Sequence, residues 1–162
     1  MKPKFIQAHM NAAENYSKLS SAKRLQVGCV IVKDDTIIGI GYNGMPSGWD
    51  NDCENRIYAN EWSIDNNLWD YQEEDGTAYN LKTKPEVLHA ETNAVAKVAK
   101  STNSTDGADI FVTHAPCIEC AKLIHQSGIK RLFYRDTYKN DDGLNFLNQC
   151  NIEVNRVKDL YN

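Results

Sequence analysis

The chain has 162 residues, 41% of them hydrophobic and 25% charged, with only 9 Gly and 4 Pro. That is the profile of one soluble globular domain, excluding a disordered or repetitive polymer, and such a chain buries roughly 70% of its unfolded surface without covalent staples. Eighteen Lys and Arg against 22 Asp and Glu leave a net charge of −4, which counts against binding long nucleic acid but not against a local pocket for one phosphate. Five cysteines are an odd number. With no charged-then-apolar leader and no apolar run near membrane-spanning length, they point to a reducing, cytoplasmic setting rather than a secreted disulfide framework or a membrane protein.

Phe5, His9, Ala12, Tyr16 and Leu19 recur at helical spacing and predict an opening amphipathic helix. The β-branched run Val27–Val32 predicts a buried strand, and Thr36–Ile40 returns as a second one after an Asp34-Asp35 turn. Gly41–Gly48 is dense in turn residues. From 49 to 87 the pattern loosens around Trp49, Trp62 and Trp69 and the acids Asp65, Asp70, Glu73, Glu74 and Asp75. Its length predicts short helices or a functional flap, lining a subunit contact or covering a nucleotide site.

Regular patterning resumes with a helix over His89–Ala99, a strand over Ala108–Thr113 and a helix from Pro116 to Gln126, stopped by Ser127-Gly128. A strand over Arg131–Tyr134, a helix over Leu144–Leu147 and a strand over Ile152–Val157 follow. This alternation implies an α/β fold, a mixed sheet with helices packed on its faces. Residues 1–162 read as one domain carrying an insert at about 49–87.

Cys117 and Cys120 form a C-x-x-C pair directly after Pro116, at a predicted helix start. Their spacing turns both sulfurs toward one side of a helical turn, and the helix N-terminus favours thiolates. Alone, the pair fits a redox motif, half of a zinc finger or two core thiols. His89 supplies a third ligand of the kind Zn²⁺ takes, and three protein ligands leave a position for water, the catalytic arrangement. Glu91 then stands near the metal but not on it, placed to move protons.

His89-Ala90-Glu91 with Pro116-Cys117-Ile118-Glu119-Cys120 matches the H-x-E…P-C-x-x-C signature of the zinc deaminases. Ser20-Ser21-Ala22-Lys23-Arg24-Leu25-Gln26-Val27-Gly28 and Gly41-Tyr42-Asn43-Gly44 narrow this, because they resemble the S-x-x-x-R-x-x-V-G segment and the G-Y-N-G loop of the deoxycytidylate (dCMP) deaminases. The resemblance covers most of the chain outside 49–87. It implies a cytidine-deaminase-like three-layer fold with a central sheet of about five strands, and hydrolysis of dCMP to dUMP and ammonia, with catalytic Zn²⁺ on His89, Cys117 and Cys120 and Glu91 as proton carrier. It also implies substrate contacts from Ser20 and Arg24 to phosphate, Asn43 to the 3′-hydroxyl, Ala90 to the base and Tyr138 to the sugar-phosphate.

The same resemblance implies activation by dCTP with Mg²⁺ and inhibition by dTTP, read through Gly41, Tyr42, Asn43 and Gly44 in a hexamer. Some relatives place a cysteine in the S-x-x-C-x-R segment to hold a second zinc; Ala22 stands there, so a second zinc is not expected. Cys29 and Cys150 read as core thiols and His9, His114 and His125 as packing or surface residues, while Cys53, after the G-Y-N-G loop, is placed where it could ligate something. The rival readings are a nucleoside or free-base deaminase, which needs neither Arg24 nor the G-Y-N-G loop, a polynucleotide deaminase, which needs a basic track, and a zinc-stabilised binding module.

Overall fold

A computed structural model describes residues 1–59 and 69–161, so Trp62 and Asp65 lie outside the described residues. The chain opens with α1 (Pro3–Ser17), which starts on a proline, a residue suited to the first helical turn. Its buried face is Ile6, His9, Met10, Ala13 and Ser17, at the spacing of a single helical stripe. β1 (Gly28–Lys33) and β2 (Thr36–Tyr42) form an antiparallel hairpin. Its two turn residues, Asp34 and Asp35, both have positive φ, as the tightest hairpin turns require.

There follow β3 (Glu54–Tyr58), β4 (Tyr71–Gln72), β5 (Ala78–Thr83), α2 (Ala90–Ala99), β6 (Asp109–His114), α3 (Ile118–Gln126), β7 (Arg131–Asp136), α4 (Asp142–Gln149) and β8 (Glu153–Arg156). A short 3₁₀ helix, Val157–Tyr161, closes the described chain. The main sheet has the order β2-β1-β6-β7-β8. β1 runs antiparallel to both its neighbours, whereas β6, β7 and β8 are parallel.

Strand alternation divides the interior into two cores. Val30 and Val32 of β1, Phe111 of β6 and Phe133 of β7 pack on Ile6, Met10 and Ala13 of α1, with Phe111 and Phe133 stacked at 4.6 Å between ring centroids. Their neighbours Cys29, Ile31, Ile110, Val112 and Leu132 face the opposite way, onto Ala94 and Val98 of α2, Ala121 and Ile124 of α3 and Leu144 and Leu147 of α4. The mixed sheet with helices on both faces is therefore present, in three layers. Cys29 is a core thiol as expected, wholly buried.

The segment 49–87 differs from expectation. Its described part is a second antiparallel sheet, order β3-β5-β4, rather than short helices. Cross-strand side-chain pairs hold it: Tyr79 stacks on Tyr71 at 5.4 Å and lies 5.8 Å from Tyr58, while Glu73 takes hydrogen bonds from Arg56 and Tyr58. Aromatic and charged pairs stabilise strands without the apolar alternation that reveals them in a sequence. Trp49 is exposed.

Close helix–sheet approach depends on glycine. A Cβ at Gly28 would lie 1.9 Å from the Ala13 carbonyl oxygen and 2.5 Å from the Ser17 nitrogen, while one at Gly44 would meet nothing within 4 Å. Gly28→Ala is expected to lower unfolding free energy by about 1–3 kcal/mol, the usual cost of overpacking. Gly44→Ala should stay within about 0.5 kcal/mol, and urea denaturation of the two variants checks the contrast.

Candidate active site and metal centre

Two helix N-termini meet on the α2–α3 face of the main sheet. His89 is the N-cap residue of α2 and Cys117 that of α3, with Cys120 inside the first turn of α3. His89 Nδ1 lies 3.2 Å from Cys120 Sγ and 3.6 Å from Cys117 Sγ, and the three ligand atoms fall within 4.8 Å of one another. A tetrahedral zinc with bonds of roughly 2.0–2.3 Å spaces its ligand atoms about 3.5–3.8 Å apart. The donor set fits that ion in chemistry and in spacing, and it is the one such cluster among the described residues.

The electrostatics agree. Hydrogen bonds from Cys120 and then from His89 hold the Cys117 thiol down at about 3. Its partner Cys120 is pushed up, first by that same bond and then by burial, so the pair carries one thiolate before any metal arrives. The bond to Cys117 raises His89. Glu91, only 4% exposed, stands beside this cluster. Burial raises its carboxyl above the ordinary range, against the opposing effects of a backbone N–H and of His89. A carboxyl whose proton affinity is raised by burial is suited to trading protons near neutral pH.

The centre opens into a cleft of about 630 Å³, counting its solvent-open mouth. Arg24, Asn43, Ala90 and Tyr138 all line it together with His89, Glu91 and Cys117. Arg24 is exposed and donates from one guanidinium nitrogen to the Thr83 hydroxyl at 3.2 Å, the one partner of its fork among the described residues. Ala90 contributes the first turn of α2, where backbone N–H groups lack helical acceptors. Tyr138 is half-buried and packs on the core while facing the cleft.

Asn43 has a second occupation. Its Oδ1 accepts from the Val27 N–H at 2.7 Å and its Nδ2 donates to the Leu25 carbonyl at 2.8 Å, so its amide pins the segment after Arg24 to the end of β2. Ser20 does not line the cleft. It is buried after the end of α1, its hydroxyl accepting from the Ala22 N–H at 3.2 Å. Gly41 is explained by packing, since a Cβ there would lie 1.9 Å from the Ala90 carbonyl oxygen. The Tyr42 carbonyl accepts from Asn93 of α2 at 2.8 Å. Gly44 exchanges two backbone hydrogen bonds with Leu88, at 3.1 and 2.9 Å, directly before His89.

Ala22, Cys53 and Val87 form a small apolar cluster with Met45. Glu54 and Thr83, from the two paired strand ends of the small sheet, line the cleft without any signal in the sequence, and so does the side chain of His114, which was expected to pack or lie at the surface. His114 lies 4.0 Å from Asp136 and its basicity is lowered, chiefly by burial. No motif marks Glu54 or Thr83, because the pairing of β3 with β5 brings them to the cleft.

The three-layer α/β fold gathers one imidazole, two thiols and a buried carboxyl at paired helix N-termini, in a site whose donors suit zinc. The chain belongs to the cytidine and deoxycytidylate deaminase family, whose zinc-binding region matches residues 3–135. It is 35% identical over 156 residues to the deoxycytidylate deaminase of Enterobacteria phage T2, covering 83% of this chain and 82% of that protein. The human deoxycytidylate deaminase is 40% identical over 121 residues, 72% of this chain and 57% of that one. Among solved structures, the dCMP deaminase of cyanophage S-TIM5 in complex with dCMP and dUMP superposes with a TM-score of 0.78 at 40% identity, covering 96% of this chain and 98% of that one. No described helix is long and apolar enough to cross a membrane.

The metal-free protein should keep one thiolate per chain, visible at 240 nm, down to about pH 4, and Cys117→Ser should abolish it. Cys117 is depressed from an ordinary 9.0 to about 3, so its contribution to stability is present above the upper value and is lost as pH falls through the lower one. An absorbance that titrates instead near pH 9 contradicts the arrangement.

Proposed function

We propose that this chain hydrolyses dCMP to dUMP and ammonia, with His89, Cys117 and Cys120 as zinc ligands and Glu91 as proton carrier. The observation that carries the reading is the ligand cluster with a buried Glu91 opening into a cleft that also holds Arg24. His89, Cys117 and Cys120 would hold a Zn²⁺, which would supply a water acidified to a pKa of about 7. Glu91 would carry both protons of that water in turn, the first to N3 of cytosine and the second, given up by the hydroxyl newly bonded to C4, to the departing amino group, so the carboxylate ends as it began. The balance is dCMP plus water to dUMP plus ammonia.

The remaining residues bind and orient. The free N–H groups of the Arg24 fork suit a phosphate, which distinguishes a nucleotide from a nucleoside. The backbone at Ala90 faces the base, and the Tyr138 ring borders the sugar-phosphate. Asn43 holds the Leu25–Val27 segment and so the path of the chain beside Arg24.

Effector control is the finer part of the proposal: dCTP with Mg²⁺ activating and dTTP inhibiting, in a cytoplasmic homohexamer. Its support is the route from loop to ligand. A nucleotide on Gly41–Gly44 bears on the Gly44–Leu88 bridge, and Leu88 is followed by His89.

Three measurements test the proposal. Glu91→Gln should retain zinc by elemental analysis and lose about 10²–10⁴-fold in kcat; turnover at the wild-type rate contradicts it. Arg24→Gln should raise KM for dCMP about tenfold to a hundredfold while leaving deoxycytidine within about threefold, as loss of a charge-assisted phosphate contact requires. Saturating dTTP should raise Tm and slow dCMP turnover; a protein indifferent to dTTP lacks the regulatory site. A panel of dCMP, CMP, deoxycytidine, cytosine and a short oligonucleotide fixes the substrate class.

A further inference from the structure

Glu54 is the most demanding polar residue of the cleft. It is 5% exposed, at the start of β3. Its Oε1 accepts from the backbone N–H groups of Lys23 and Arg24, at 3.1 and 3.2 Å. Its Oε2 is buried and makes no hydrogen bond among the described residues. A buried carboxylate oxygen without a donor is costly, and a carboxylate presents only acceptors. The residue lines the same cleft as Arg24, Asn43, His89 and Glu91, so the missing donor is one that a ligand brings.

If a deoxynucleotide occupies the cleft, its parts sort by chemistry. The phosphate is an anion, which Glu54 repels and Arg24 attracts. The amidine face of the base belongs at the metal ligands and Glu91, where the reaction takes place. The one remaining donor is the sugar hydroxyl. Asn43, another polar side chain suited to it, already commits one lone pair to Val27 and one N–H to Leu25.

We infer that Glu54 Oε2 accepts a hydrogen bond from the free 3′-hydroxyl of the bound nucleotide, so that the cleft admits mononucleotides and refuses nucleotides within a nucleic-acid chain. There the 3′-oxygen is esterified: it has no proton to donate, and its phosphodiester adds a negative charge facing a buried carboxylate. Glu54 thereby sets two boundaries at once, because the backbone it holds through Oε1 is that of Lys23 and Arg24, the phosphate side of the site. The small sheet contributes specificity through a single strand end.

The inference rests on the proposed deamination of dCMP, and the test separates the two. Purified zinc-loaded enzyme is assayed with dCMP, with 2′,3′-dideoxycytidine 5′-monophosphate and with deoxycytidine 3′,5′-bisphosphate. Wild type should lose about tenfold to a hundredfold in kcat/KM on the dideoxy substrate, the range for a hydrogen bond to a charged group, and should leave the bisphosphate unprocessed. In Glu54→Gln the amide oxygen can still accept from Lys23 and Arg24, while an amino group replaces the acceptor. That variant should lose a similar factor on dCMP, change less than about threefold on the dideoxy substrate, and process the bisphosphate measurably. Equal wild-type kcat/KM on dCMP and the dideoxy substrate overturns the inference even if the variant fails to fold. A uniform loss on both substrates in a folded Glu54→Gln also overturns it. No turnover of dCMP by wild type overturns the deaminase reading, and this inference with it.

Discussion

The closeness of α2 to β2 governs the geometry of the site. At Gly41 the strand lies so near the helix that a Cβ would sit 1.9 Å from the Ala90 carbonyl oxygen. Ala90 is the residue after His89, so any outward shift of α2 moves that imidazole away from Cys117 and Cys120. A matching contact stands at the other ligand loop, where a Cβ at Gly143 of α4 would lie 2.1 Å from the Pro116 carbonyl oxygen, next to Cys117. Close-packed interiors transmit displacement instead of absorbing it. Two glycine contacts thus flank the two loops that must present a nitrogen and two sulfurs to one point.

That point gathers negative charge. A thiolate and a buried carboxyl share it, and the positive ends of two helices offset them only in part. Charge concentrated in a poorly solvated place raises affinity for a compact divalent ion and couples metal binding to folding. Burial beside the same cluster raises the proton affinity of Glu91. Binding of the metal and poise of the carboxyl are two aspects of one charge arrangement.

The main sheet and its helices were legible because their periodicities are strong. The run at 27–32 is apolar throughout, and the strand is buried on both faces, feeding Val30 and Val32 to one core and Cys29 and Ile31 to the other. The ligands were legible because chemistry constrains their spacing. The small sheet was not, because Tyr–Tyr and Arg–Glu pairs across strands leave no apolar alternation in any one of them. Asn43 and Ser20 show the limit of motif matching: residue type is shared between ligand and scaffold roles, and only the hydrogen-bond partners reveal that both brace backbone. Glu54 and Thr83 escaped because proximity in space, created by a strand pairing, has no counterpart along the chain.

The reciprocal bridge between Gly44 and Leu88 has an evolutionary side. It clamps the chain as it leaves the small sheet, one residue before His89, and Lys84 is tied to the Cys53 carbonyl just upstream. Changes in the far hairpin of that sheet, at the Glu73–Gly76 turn, therefore end at a fixed anchor before they reach His89. Surface loops tolerate added length at small entropic cost. Length added at that turn would therefore leave His89 in register with Cys117 and Cys120.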